Sequence, residues 1–147
     1  MTDDRRPRTL APPERRIAEV VEARRLGAYD LIVARDAIGP ANPRPGQFYM
    51  LAAGERWGAD GDGRPYLPRA FSFARVRPLP GGQGADLSFL LEDVGPGTRR
   101  LGELAAGDPL ALLGPLGHGF APPPEGRRPL LVGGGIGAAP VLCWDDE

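Results

Sequence analysis

A chain of 147 residues, 41% apolar and 25% charged, has the length of about one domain and enough apolar material for one modest core. Its 18 basic and 19 acidic residues leave a formal net charge of -1, so the charge balance gives no case for nucleic acid as the main partner. All basic residues are arginine, which excludes a Walker A loop, Schiff-base catalysis and pyridoxal phosphate attachment, and one cysteine, Cys143, excludes an internal disulfide or a cluster that needs several thiolates.

Residues 1–14 mix charge with proline and lack periodicity, so they read as a disordered tail. Arg5, Arg6 and Arg8 are followed by no apolar signal segment, and no apolar run approaches the ~20 residues that span a bilayer; a cytoplasmic protein without a membrane partner is expected. Between Arg15 and Val33 the apolar positions fit either a helical face or two short strands joined near Gly27, and periodicity alone leaves both open. Pro45-Gly46 marks a turn before an aromatic-rich strand beginning at Phe48. Residues 54–68 hold four glycines, two prolines and both signs of charge and read as an exposed loop. Residues 71–76 (FSFARV) and 86–94 (DLSFLLEDV) alternate as strands, with Leu87, Phe89 and Leu91 on one face.

After Gly95-Pro96-Gly97, Thr98 is a suitable N-cap for a short helix through Leu101 and Leu104, stopped at Gly107. A further strand follows in DPLALLGPLG, then a loop around His118, then a proline-rich linker at 121–129. A domain boundary near 127 is expected, after which the apolar strand Leu130 to Val132 enters a glycine-rich turn and the start of a helix from Ile136 to Leu142.

Three of these segments carry chemistry. Arg69-Ala70-Phe71-Ser72 offers a guanidinium fork, an aromatic face and a hydroxyl; Arg69 and Phe71 share one side of the strand and Ser72 takes the other. A phosphate attached to a planar ring could use all three, although a solvated arginine beside a core phenylalanine would leave the same four letters. Gly95-Pro96-Gly97-Thr98 feeds a helix N-terminus, where unpaired N–H groups and the helix dipole favour an anion, but an ordinary turn reads the same way. Gly133-x-Gly135-x-x-Ala138 follows an apolar strand as a dinucleotide fingerprint does. The lone His118 has no G-x-S-x-G elbow to support hydrolase chemistry and reads as polar surface, Cys143 reads as a small buried hydrophobe, and Trp57 and Trp144 are each isolated.

Taken in order, PGQF at 45–48, RAFS at 69–72, GPGT at 95–98, GDPLALLGPLGHGF at 107–120 and LLVGGGIGAAP at 130–140 resemble the ferredoxin reductase family of flavoproteins. Within it the resemblance is greatest to the electron-transfer subunit of class B dihydroorotate dehydrogenases, and it covers about residues 15–142. The resemblance implies a mainly β fold: a six-stranded antiparallel Greek-key barrel for FAD over 15–126, with a short helix, followed at 127–147 by the first strand and glycine-rich turn of an incomplete α/β domain for NAD. It resolves the 15–34 stretch toward strands.

By the family pattern, Arg69 would pair with the FAD pyrophosphate, Ala70, Phe71 and Ser72 would line the flavin, and Gly97 and Thr98 would meet the pyrophosphate through their backbone. Leu90, Leu91 and Glu92 would lie beside the cofactor, and Gly133, Gly134, Gly135 and Gly137 would belong to the nicotinamide nucleotide site. Phe71 stands where many relatives have Tyr, and His118 where they have Asn. Relatives carry four cysteines for a [2Fe-2S] cluster, which one cysteine cannot hold, and a truncated chain is the expected account. The implied function is electron transfer between NAD(H) and an FMN-bearing dihydroorotate dehydrogenase catalytic subunit in pyrimidine biosynthesis. A flavin or ferredoxin-type reductase and a non-catalytic FAD-binding module are the alternatives.

Overall fold

A computed structural model of the chain describes residues 13–54 and 67–145. Six strands form it: β1 (Glu14–Leu26), β2 (Tyr29–Asp36), β3 (Phe48–Ala53), β4 (Arg69–Pro78), β5 (Ala85–Leu91) and β6 (Pro109–Leu116). They close into a barrel in the order β1-β2-β5-β4-β3-β6, with every neighbouring pair antiparallel. The consecutive strands β3, β4 and β5 lie side by side and β6 returns beside β3, which is a Greek key. Helix α1 (Pro96–Gly102) connects β5 to β6, and a single 3-10 turn at Gly135–Gly137 leads into helix α2 (Ala138–Asp145).

The 15–34 stretch forms strands because its alternating side chains have a core to enter. Arg16, Ala18 and Val20 point inward from β1, and Leu26 pairs with Tyr29 across a turn whose Gly27 has φ +63°. Beyond a bulge at Val20/Glu22, β1 stays paired with β2 but no longer with β6, and its side chains become exposed. On β5, Ala85, Leu87, Phe89 and Leu91 all face inward, as the alternation predicts. At the centre, the Tyr49 ring meets Phe73 and Phe89 edge-on at centroid distances of 6.0 and 6.1 Å.

One end of the barrel is closed by a buried ion pair. Arg16 Nε and Nη2 donate to the Asp36 carboxylate, with Nη2–Oδ2 at 2.7 Å, and Nη2 also donates to the Gly114 carbonyl at 2.9 Å. This joins β1, β2 and β6 at a point where Arg16 and Asp36 are 6% and 1% exposed.

The structure corrects four local expectations. Glu14 opens β1 instead of ending a tail. Thr98 does not cap α1: Gly95 is the cap, and the Thr98 hydroxyl accepts the N–H groups of Val94 and Gly95 at 3.0 and 3.1 Å. The helix ends at Gly102, because the backbone turns before Gly107, whose φ of +94° lies in the tight turn into β6. Leu130 to Val132 forms no strand, since no neighbouring strand is there to take its backbone hydrogen bonds, and Leu130 and Val132 are 88% and 80% exposed. The rest of the 1–14 tail and of the 54–68 loop, Trp57 included, lies outside the described residues apart from Pro13, Gly54, Leu67 and Pro68.

Candidate functional site

Two adjoining clefts open where the start of β4 meets α1, the end of β5 and the segment ahead of α2. One, of about 280 Å³, is lined by Arg69, Ala70, Phe71, Glu92, Val94, Thr98 and Ile136. Its neighbour, of about 270 Å³, is lined by Ala70, Phe71, Ser72, Leu90, Ile136, Gly137 and Ala139. Arg69 lines only the first and Ser72 only the second, while Ala70 and Phe71 lie between them and line both, so alternation along β4 does not by itself divide the two clefts.

Each side chain is placed by a local cause. Pairing of β4 with β3, where Phe71 opposes Tyr49 and Arg69 opposes Leu51, fixes the RAFS segment to the barrel. Arg69 Nη1 donates to the Leu67 carbonyl at 2.8 Å, and the rest of its guanidinium lies against Gly97. The Thr98 hydroxyl, besides accepting two N–H groups, donates to the Gly95 carbonyl at 3.0 Å, which draws the glycine turn onto α1. The Gly95 carbonyl takes the Arg99 N–H at 2.9 Å, so Gly97 and Thr98 precede the first N–H with a partner inside the helix. A cation beside such donors is suited to a phosphate, while Phe71 and Ile136 offer apolar surface to a flat ring.

Most of the residues expected from the sequence converge here, and the exceptions have plain causes. Leu91 is 1% exposed and faces the core, because strand alternation sends it opposite to Leu90. Among the four glycines of the 133–137 segment only Gly137 lines a cleft; Gly135 approaches the Tyr29 hydroxyl, and Gly133 packs on Ala138. Ile136, Val94 and Ala139 line the clefts without having been expected. Ile136 could have been found as the sole bulky apolar residue inside a glycine run.

His118 is exposed and away from both clefts. Two of the sequence motifs instead brace one another: Gln47 accepts the Arg44 N–H at 2.8 Å and donates to the Gly117 carbonyl at 3.1 Å, while the Phe120 N–H donates to the Pro45 carbonyl at 2.8 Å. Cys143 is 4% exposed and joins the core, as expected of a small hydrophobe. Trp144 is not isolated but stacks on Phe120, because α2 continues through it.

Comparison with known proteins finds relatives in sequence and in fold. The electron transfer subunit of dihydroorotate dehydrogenase B (NAD(+)) from Clostridium perfringens is 34% identical over 116 residues, 79% of this chain and 39% of that protein. The corresponding subunit from Caldanaerobacter subterraneus is 37% identical over 100 residues, 68% of this chain and 34% of its own. A solved structure of the ferredoxin reductase in carbazole 1,9a-dioxygenase, in its FAD apo form, superposes with a TM-score of 0.69 at 30% identity, covering 91% of this chain and 40% of that one. The chain belongs to the ferredoxin reductase superfamily. It spans about two fifths or less of the length of these superfamily members. No family model matches it. Among the described residues, no helix is long and apolar enough to cross a membrane, and no group of His, Cys, Asp or Glu side chains is arranged to hold a metal ion.

Proposed function

We propose that the paired clefts bind FAD and that the chain is the barrel part of a subunit that carries electrons between a nicotinamide nucleotide and a dihydroorotate dehydrogenase. The observation that carries the reading is the convergence of Arg69, Phe71, Ser72 and Thr98 on two adjoining clefts in a chain whose relatives are named as such subunits. The residues fit the group: Gly97 leaves the Arg69 guanidinium room to lie over the start of α1, and the apolar side chains bracket space for a ring. Arg69 with the Gly97 and Thr98 N–H groups would hold the pyrophosphate; Ala70, Phe71, Ser72 and Leu90 would orient the ring, with Glu92 at the solvent edge. FAD supplies the redox chemistry when bound, and this chain's residues supply position and exclude water.

The reading includes a barrel domain over 15–126 and a second unit beginning at 127. It also includes a catalytic partner subunit bearing FMN and a cytoplasmic location. Titrating FAD against the wild type and Arg69→Ala by flavin fluorescence tests it. Loss of a charge-assisted contact of ~1.5–3 kcal/mol should weaken binding roughly tenfold or more, and equal affinities would overturn the assignment of Arg69.

A second reading, an FAD-binding module that does not itself take hydride, is favoured by one observation: Leu130 to Val132 pairs with no strand, so the glycines at 133–135 are not seated on a sheet. Hydride transfer needs the nicotinamide held against the flavin. Following NADH absorbance with the purified chain and FAD separates the two, because sustained oxidation would exclude the module and its absence would support it.

A further inference from the structure

The clefts have two walls of different origin. The first is the barrel; the second is the segment around Ile136, which lines both clefts and is carried by α2. Ala139 and Cys143, 2% and 4% exposed, seat α2 against the barrel on the side of β4. Ahead of Ile136, residues 121–134 make no hydrogen bond to the barrel among the described residues, so the chain leading into this wall does not hold it in place.

At the far end of α2, next to buried Cys143, an aromatic contact adds a second tie. Trp144 stacks on Phe120 with ring centroids 4.9 Å apart and planes inclined by 31°. Phe120 is in turn anchored: its N–H donates to the Pro45 carbonyl at 2.8 Å, and its ring lies against Gly46, whose φ of +89° and lack of a side chain permit that approach. A continuous set of contacts thus runs from the turn before β3, through Phe120 and Trp144, to the wall that carries Ile136.

We infer that Phe120 and Trp144 are positioning residues that hold Ile136 over the cleft and thereby set how long a bound flavin ring is retained. The inference rests on the FAD reading above. The two aromatic residues touch no cleft themselves and act through the placement of α2. Undocking α2 would uncover the ring on the Ile136 side while leaving the phosphate contacts of Arg69 and Thr98 intact. The effect therefore falls on dissociation more than on association.

The test is stopped-flow release of FAD from the purified chain, read by flavin fluorescence, alongside thermal melting without FAD. Trp144→Ala should speed release roughly three- to tenfold, with the melting temperature of the barrel unchanged, and Trp144→Phe should restore most of the retention. Ile136→Ala should speed release as well, and the double variant with Trp144→Ala should be no faster than the faster single variant, because both changes remove one wall. Release within twofold of wild type in Trp144→Ala, release in Trp144→Phe as fast as in Trp144→Ala, additive effects in the double variant, or loss of the barrel's melting transition would each overturn the inference. A wild type that binds FAD with unaltered release in the variants sinks only the positioning role; a wild type that binds no FAD sinks the cofactor reading and this inference together.

Discussion

The Arg69 guanidinium lies so close to Gly97 that a β-carbon there would stand 2.8 Å from Nε and 3.1 Å from Nη2. The absence of a side chain at 97 is therefore what lets a cation from β4 reach the first turn of a helix that follows β5. The two residues are 28 positions apart in sequence and meet only because β4 and β5 are neighbours in the barrel.

Gly97→Ala separates affinity from stability. The atoms that a new methyl would meet are the far end of a flexible side chain, so the arginine moves and the fold does not. Alanine inside a helix is favoured over glycine by about 0.5–1 kcal/mol, so the melting temperature should hold or rise while FAD affinity falls roughly three- to tenfold through the displaced ion contact. Melting by circular dichroism with a parallel FAD titration checks both, and a fall in stability with affinity unchanged would contradict the placement of Arg69.

Asp36→Asn should be among the most damaging single changes. It leaves the Arg16 cation in a site where both side chains are 3% exposed or less, and breaking such a pair costs about 3–5 kcal/mol. Replacing both partners, as Arg16→Met with Asp36→Leu, should recover much of the loss because no charge is then stranded. Chemical denaturation of the three variants measures this; a double variant as unstable as Asp36→Asn would show that the pair itself, and not the stranded charge, matters.

Tyr49→Phe should stabilise the barrel. The Tyr49 hydroxyl is buried without a hydrogen-bond partner among the described residues, and removing it should raise stability by about 1 kcal/mol at neutral pH. Burial first, and the Asp36 carboxylate second, push the Tyr49 phenol above its ordinary 10.0, with Arg16 acting in the opposite sense. The unfolded chain then loses this proton before the folded one. Below the unfolded value of 10.0 the difference from Tyr49→Phe is constant; above it ionisation favours the unfolded wild type, which loses further stability as the pH rises. Melting temperatures from about pH 8 to about pH 11 should fall more steeply for the wild type than for Tyr49→Phe, and parallel curves would contradict this environment for the phenol.

The barrel itself was legible in the sequence wherever strand alternation ran uninterrupted, as in Ala85 to Leu91, and wherever glycine marked a turn, as at Gly27 and Gly46. The RAFS and GPGT segments were legible as local chemistry, since fork, ring, hydroxyl and glycine turn are properties of neighbouring residues. What joins them was not. Only the pairing of β4 with β5 brings Arg69 to Gly97, and only the docking of α2 brings Ile136 to Phe71. Leu130 to Val132 shows the converse: its apolar letters match a strand, yet a strand exists through hydrogen bonds to a neighbour, which no local pattern can supply. Alternation and turn chemistry are short-range and survive in the sequence, whereas the site and the buried Arg16–Asp36 pair depend on residues that closure of the barrel makes adjacent.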